Sequence, residues 1–286
     1  MKIIQSHAQF KEGSPYLKWN NDTQQKQILN FYSFLLSYIT LKKNCGEVTM
    51  FCNKKANESL IKYIPYDNVI VKDNYNTFKF WNKFKLDSIK SLDEDCVHFD
   101  SDVFIFDEKF KNTINSNWDV LVQDILPEEK NFVRNFLYSN SKFFKNGFNY
   151  DISKYDGRCV SCGVFGLRKK FREEYFRVID IIYDYINDDT LKDINCPEMI
   201  YEELMAYIVA YFSNFKIRDV LPHDLVLKYG VCEVGNLKKY THLWLNTKYN
   251  VEYIKLIKNK IKKDYPEYYS YVIEYEKKHN VKKWGL

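Results

Sequence analysis

Glycine and proline are scarce in this sequence, 9 and 6 residues out of 286. That excludes collagen-like, Pro/Gly-rich and low-complexity architectures, and no Gly/Ser linker divides the chain. Long apolar runs are also missing. The longest, FYSFLLSYITL at 31–41, falls well short of the ~20 residues that a membrane-spanning helix needs. No basic and apolar leader precedes the first strand-like run, KIIQSH at 2–7. The protein is therefore expected to be soluble and cytoplasmic. Paired cysteines are lacking too: seven is an odd number, and most fall inside apolar runs, as reduced core thiols do. Cys159 and Cys162 have redox or zinc spacing, but there is no second such pair, and the Gly-Val-Phe-Gly that follows reads as strand. What is abundant is aromatic side chain, 24 Tyr and 21 Phe, within a 45% hydrophobic composition that suffices for a packed core.

Charge is modest overall and uneven along the chain. The net +5 is carried by the tail, where residues 246–286 hold ten Lys against five Asp or Glu, with Trp284 near the end. A solvated pair of helices with lysines outward is the plain expectation for such a tail. Peripheral contact with an anionic membrane, or with nucleic acid, is the functional alternative.

The hydrophobic pattern alternates between strand and helix. After KIIQSH comes a helical stretch near 23–43, with apolar residues at 28, 31, 32, 35, 36 and 39. Strands are expected at 47–53 and 68–73, a helix at 78–92, strands at 96–99, 118–124 and 159–167, and a helix at 169–187. The segment between the strands at 118–124 and 159–167 reads as an irregular connection, a candidate lid or acceptor loop. This order implies an α/β fold: a mostly parallel central sheet with helices on both faces, and ligands at the carboxyl ends of its strands. Residues 1–248 are taken as one catalytic domain and 249–286 as a basic, aromatic helical extension.

Within that pattern CVHFDSDVFIF at 96–106 places Asp100 and Asp102 in an otherwise apolar run. Desolvated carboxylates are costly unless paired, hydrogen-bonded or bound to a metal. In an extended segment residues i and i+2 face the same side, so both could meet one cation. Oxygen ligands of this kind suit Mg²⁺ or Mn²⁺ with a substrate phosphate. An EF-hand loop is excluded, because Val103, Phe104 and Ile105 follow where a glycine and further oxygen ligands are needed. A haloacid-dehalogenase-type phosphatase and a merely structural carboxylate pair are the remaining alternatives.

FKFWNKFKLDSIKSLDEDCVHFDSDVFIF resembles the core of GT-A (Rossmann-like) glycosyltransferases, in which an aromatic and basic helix leads into a strand ending in Asp-x-Asp. CVSCGVFGL is similar to the strand carrying the Asn-x-Gly-Val pattern of glycosyltransferase family eight, with Ser161, Cys162 and Gly163 on its positions. YEELMAY resembles that family's acidic-Gln helix start, with Glu202 and Glu203 on the two positions. THLWLNTK resembles its His-x-x-Gly-x-x-Lys motif, which implies His242 as third metal ligand and Lys248 on the diphosphate. Leu245 stands at the glycine position, Ser161 at the Asn and Glu203 at the Gln. Over residues 1–250 the chain is also similar to bacterial and phage glycosyltransferase-like proteins with a His-Leu-Trp segment.

The resemblance implies a metal-dependent glycosyltransferase that uses a nucleotide-diphosphate sugar, UDP-sugar foremost, with Mn²⁺ or Mg²⁺. It implies Asp100, Asp102 and His242 on the metal and Ser101 among the donor-binding residues. Ser6 and His7 end the first strand, where the nucleotide's base and ribose are expected. Trp81 and Lys85, one helical turn apart, share a face that could meet the nucleotide. Lys248 or Lys85 would stabilise charge on the leaving group. Around the apolar stripe of Ile200, Leu204, Tyr207, Ile208 and Tyr211, a 100° projection puts Glu203 on the border and Glu198 and Glu202 opposite. Glu203 is therefore the expected active-site carboxylate. His98, two residues before Asp100, is expected to be a satisfied core histidine, with a place in the shell behind Asp100 as the alternative. An inactive nucleotide-sugar-binding protein and an enzyme with a nucleic-acid acceptor are the rival functions.

Overall fold

The computed structural model describes residues 1–9, 24–72, 82–126, 131–185, 200–221, 240–243 and 249–281. Trp81, Glu198, Leu245, Lys248 and Trp284 lie outside them. The chain is α/β. Its strands are β1 (Lys2–His7), β2 (Val48–Cys52), β3 (Asn68–Val71), β4 (Cys96–Phe99), β5 (Val103–Ile105), β6 (Val120–Leu126), β7 (Cys159–Leu167), β8 (Ile217–Asp219) and β9 (Tyr240–His242). Seven form one mostly parallel sheet in the order β3-β2-β1-β4-β7-β6-β8, and β5 and β9 form a separate two-stranded ribbon. The strand order reverses direction of growth at β1 and β4. In open α/β sheets that reversal is where ligands sit, beyond the carboxyl ends of the strands.

The chain divides into two compact units. One comprises Lys2–Lys79, His98–Asn115 and Lys228–Leu286. In it β1 pairs with β2 and β2 with β3, all parallel. Helix α1 (Gln24–Asn44) connects β1 to β2 and buries Phe31, Tyr32, Leu35, Leu36 and Ile39. The spacing is that of one helical face. β2 is buried throughout, whereas all four residues of β3 are exposed at the sheet edge.

Two C-terminal helices, Val251–Asp264 and Tyr269–His279, belong to the same unit. Asn250 caps the first by accepting a hydrogen bond from the Glu252 N–H at 2.9 Å. Their inner faces carry Tyr253, Ile254, Ile257, Ile261, Val272 and Tyr275. Phe31 stacks on Tyr275 at 3.8 Å, and the Tyr32 hydroxyl donates to Glu276 at 2.7 Å. Lys255, Lys262, Lys263, Lys277 and Lys278 are exposed.

The other unit comprises Phe80–Val97 and Ser116–Leu227. β6 runs antiparallel to β7 and parallel to β8. All nine residues of β7 are buried, which is why its sequence shows no polar alternation. The connection read as irregular from the sequence is helical, with segments Asn131–Ser139 and Ser141–Phe148. Phe136, Leu137, Phe144 and Phe148 form the buried face hidden by the surrounding Asn and Lys. The side chain of Asn140 donates to the Phe136 carbonyl at 2.8 Å, and Asn149 ends the second helix with φ of 60°.

Cys45, Cys52, Cys96, Cys159 and Cys162 are buried and in no disulfide. Burial pushes the Cys45, Cys52 and Cys96 thiols up to about 12, so they are inert as nucleophiles. Among the described residues no helix is long and apolar enough to cross a membrane.

Gly166 in β7 is closely packed. A Cβ there would stand 2.8 Å from Leu121 Cβ and 3.0 Å from the Trp118 ring. Trp118 cannot yield easily, because the Arg168 guanidinium lies 4.5 Å from its ring centroid and is itself bonded to Asp95 at 2.8 Å. Gly166→Ala is expected to cost about 1–3 kcal/mol through overpacking, read as a lower urea midpoint at unchanged slope. An unchanged midpoint would show that this contact relaxes without cost.

Candidate metal centre

The apolar run 96–106 is not one strand. It breaks into β4 and β5 at a tight turn, where the Val103 N–H donates to the Asp100 carbonyl at 3.0 Å. Asp100 and Asp102 occupy the first and third positions of that turn. Their convergence therefore comes from the turn, and not from strand alternation as the sequence suggested. β9 then pairs antiparallel with β5, with Val103 opposite His242. The Leu243 N–H donates to the Asp102 carbonyl at 3.0 Å. The imidazole is delivered by this register: His242 Nε2 lies 3.3 Å from Asp102 Oδ1. One ligand atom from each of Asp100, Asp102 and His242 lies within 4.8 Å of the others. Asp102 and His242 are buried, and Asp100 keeps 26% of its side chain exposed.

The turn is held from below by buried polar side chains. Gln5 Nε2 donates to Ser37 Oγ at 2.8 Å and reaches the Asp100 carbonyl at 3.4 Å. Its amide oxygen accepts from the Tyr66 hydroxyl at 3.0 Å. Ser37 Oγ donates to the Val103 carbonyl at 2.6 Å, Thr40 Oγ1 accepts from the Ile105 N–H at 3.2 Å, and Asn44 donates to the Ile105 carbonyl at 2.6 Å. Spacings of three and four residues put these side chains on one helical face. Beside the turn, Ser6 and His7 end β1. Ser6 Oγ lies 2.9 Å from His98 Nε2, and the His7 ring meets Phe34 edge-on at 4.8 Å. Ser101 sits half-exposed at the turn's tip.

The other unit holds a buried ionic cluster. Lys85, 4% exposed, forms an ion pair with Glu202 and donates to the Cys162 carbonyl at 2.8 Å. Asn82 donates to the other Glu202 oxygen at 3.4 Å. Ser161, Cys162 and Gly163 are buried within β7. The regular projection puts Glu203 on the border of the apolar stripe and Glu202 opposite it; Glu203 is half-buried, as a border residue would be, but Glu202 is 5% exposed and turned inward. The reason is a π-helical turn over Ile200–Leu204, ahead of the helix Met205–Phe212. Its extra residue per turn rotates the carboxylates away from a regular 100° projection. The Tyr175 hydroxyl donates to the Tyr201 carbonyl of that turn at 2.8 Å.

A family model described as "Family of unknown function (DUF6734)" matches residues 1–275. The chain belongs to this family. No curated protein matches it. Among solved structures, this DUF6734 member is similar to the galactosyltransferase LgtC in complex with donor and acceptor sugar analogs. That match has 10% identity, covers 90% of this chain and 95% of the other, and has a TM-score of 0.45. The inositol-1-phosphate CTP transferase of T. maritima matches at 12% identity, over 92% and 97% of the two chains, with a TM-score of 0.43. A nucleoside-diphosphate-sugar pyrophosphorylase from Vibrio cholerae matches at 8% identity, over 90% and 99%, with a TM-score of 0.38.

In this DUF6734 chain the donor set of the Asp-Asp-His group fits a divalent cation. Two carboxylates and an imidazole converge, two of the three residues are buried, and like charges so close are stabilised by a positive partner. Mn²⁺ accepts both oxygen and imidazole nitrogen, and Mg²⁺ the oxygens.

The Lys85 and Glu202 pair yields a stability prediction. Removing one partner leaves a charge in a dry site, so Glu202→Leu should destabilise by about 3–5 kcal/mol. The double variant Lys85→Met with Glu202→Leu should recover much of that loss, because no unpaired charge remains. Urea unfolding of the four proteins measures the cycle, and strictly additive losses would mean that the two charges are not coupled.

Proposed function

We propose that this protein is a metal-dependent glycosyltransferase, moving a sugar from a nucleotide-diphosphate sugar, with a UDP-sugar as donor, to an acceptor. The observation that carries the reading is the convergence of Asp100, Asp102 and His242 at the carboxyl end of β4, beside the end of β1. A bound Mn²⁺ or Mg²⁺ supplies Lewis-acid stabilisation of a departing nucleotide diphosphate.

The chain's own residues do the rest. Asp100 and Asp102 hold the ion and His242 completes its shell, while Ser101 at the turn's tip faces the donor. The end of β1, at Ser6 and His7, is the wall for base and ribose. Following the sequence resemblance, Trp81 and Lys85 belong to nucleotide binding, Lys248 to the diphosphate, and Ser161, Cys162 and Gly163 to the donor sugar. Glu203 is assigned to the transfer step. These roles place catalysis in residues 1–248, with 249–286 as a helical extension.

A thermal-shift screen of UDP-, GDP- and CDP-sugars, each with Mn²⁺ and with excess chelator, tests the assignment. A donor at 100 times its Kd stabilises by about 2.7 kcal/mol, so one sugar nucleotide should raise Tm, and only with metal present. Asp102→Asn should abolish that shift and donor turnover while leaving the metal-free Tm close to the wild type. Normal turnover by Asp102→Asn, or no shift with any donor, would overturn the reading.

A further inference from the structure

Between the end of β1 and the Asp-x-Asp turn stands His98, 1% exposed. A histidine in a core strand is ordinarily satisfied by one nearby backbone group. This one has its two ring nitrogens directed at side chains on two different segments: Nε2 is 2.9 Å from Ser6 Oγ, and Nδ1 is 3.7 Å from Asp100 Oδ1. Ser6, His98 and Asp100 thus form a line from β1 to the turn, within one unit.

Charge decides how the ring is protonated along that line. A lone pair on Nδ1 facing a carboxylate oxygen is repulsive, and an N–H there is attractive, so the neutral ring carries its proton on Nδ1. Nε2 is then an acceptor, and the Ser6 hydroxyl must be the donor across the 2.9 Å contact. Ser6 in this way selects the tautomer that suits Asp100.

The two carboxylates differ in burial. Asp102 is buried against His242 at 3.3 Å, and its own carbonyl accepts from the Leu243 N–H. Asp100 has its carbonyl bound by Val103 and Gln5, but its side chain is partly exposed and has more rotamer freedom to lose. An N–H facing one of its oxygens, at 3.7 Å an electrostatic contact longer than a hydrogen bond, biases its rotamer and leaves the second oxygen for a cation. Groups behind a metal ligand that do this are worth about 10–100-fold in metal affinity.

We infer that His98 is a positioning residue for the metal-binding carboxylate Asp100, with Ser6 holding its tautomer. The inference rests on the metal reading of the Asp-Asp-His group and extends it to two residues that do not ligate the ion.

Mn²⁺ affinity of the full chain, measured by calorimetry without nucleotide, is the test. The set is wild type, Asp102→Asn, His98→Leu, His98→Asn and Ser6→Ala, each with a metal-free urea midpoint as control for folding. His98→Leu is expected to weaken Mn²⁺ binding about 10–100-fold. His98→Asn, whose amide N–H takes the place of the Nδ1 donor, should retain most of the affinity, and Ser6→Ala should fall between. A general packing role would lower the midpoints without this rescue. Equal Mn²⁺ affinity in wild type and His98→Leu, or equal weakness of the Leu and Asn variants, overturns the inference while the metal reading stands. A wild type that does not bind Mn²⁺, or binds no better than Asp102→Asn, overturns both. Should His98→Leu not fold, the Asn and Ala variants decide, and unchanged affinity in Ser6→Ala would remove the tautomer lock.

Discussion

The outer backbone edge of β5 is the constraint on which the rest of this site depends. A three-residue strand has one edge paired with β9, and the other would be left with buried, unsatisfied peptide groups. Ser37, Thr40 and Asn44 supply those partners from α1, so a helix does the work of a neighbouring strand. A buried donor or acceptor without a partner costs about 1–3 kcal/mol, and three contacts in a row therefore fix the depth and rotation of β5 against the helix. Asp102 immediately precedes β5, and its position follows from that seating. Gln5 extends the same polar seam to the other carboxylate's backbone.

This seam also explains why β5 leaves the main sheet. Val103, Phe104 and Ile105 are fully buried and continue the apolar run of β4, so composition alone favours one long strand. The turn at Asp100 diverts the chain, and the polar face of α1 receives it. Ser37, Thr40 and Asn44 interrupt the mostly apolar buried face of α1. Their cost in helix propensity is small beside that of an unpaired strand edge.

Much of this was legible in the sequence, and the parts that were not have physical reasons. β4 and β7 were readable to the residue, because continuous apolar runs bounded by polar residues leave little choice of limits. Asp100 and Asp102 were singled out from residue type and spacing and His242 from the resemblance of THLWLNTK to a family motif, and the structure brings the three together. The turn between the aspartates was hidden, since no glycine, proline or asparagine marks it. The π-helical turn at Ile200–Leu204 was hidden for another reason: any projection at fixed angle assumes a regular helix, and Glu202 turns inward where that assumption fails. The helices over 131–148 were obscured by Asn and Lys on their outer faces, although Phe144 and Phe148 keep the four-residue spacing. Lys85 was read as facing a nucleotide; its burial was not legible because lysine is rarely buried, and Glu202 and a backbone carbonyl surround it.

The pairing of β5 with β9 has a consequence for how the chain comes to function. It joins residues roughly 140 positions apart, and the entropy of closing so long a loop grows only logarithmically, so the separation itself is affordable. In time, however, it is decisive. During synthesis the two aspartates emerge and can take up their turn long before His242 exists, and a chain halted before β9 carries the carboxylates without the imidazole. Completion of the three-residue group is thereby tied to completion of the polypeptide, and a truncated product holds only part of the ligand set.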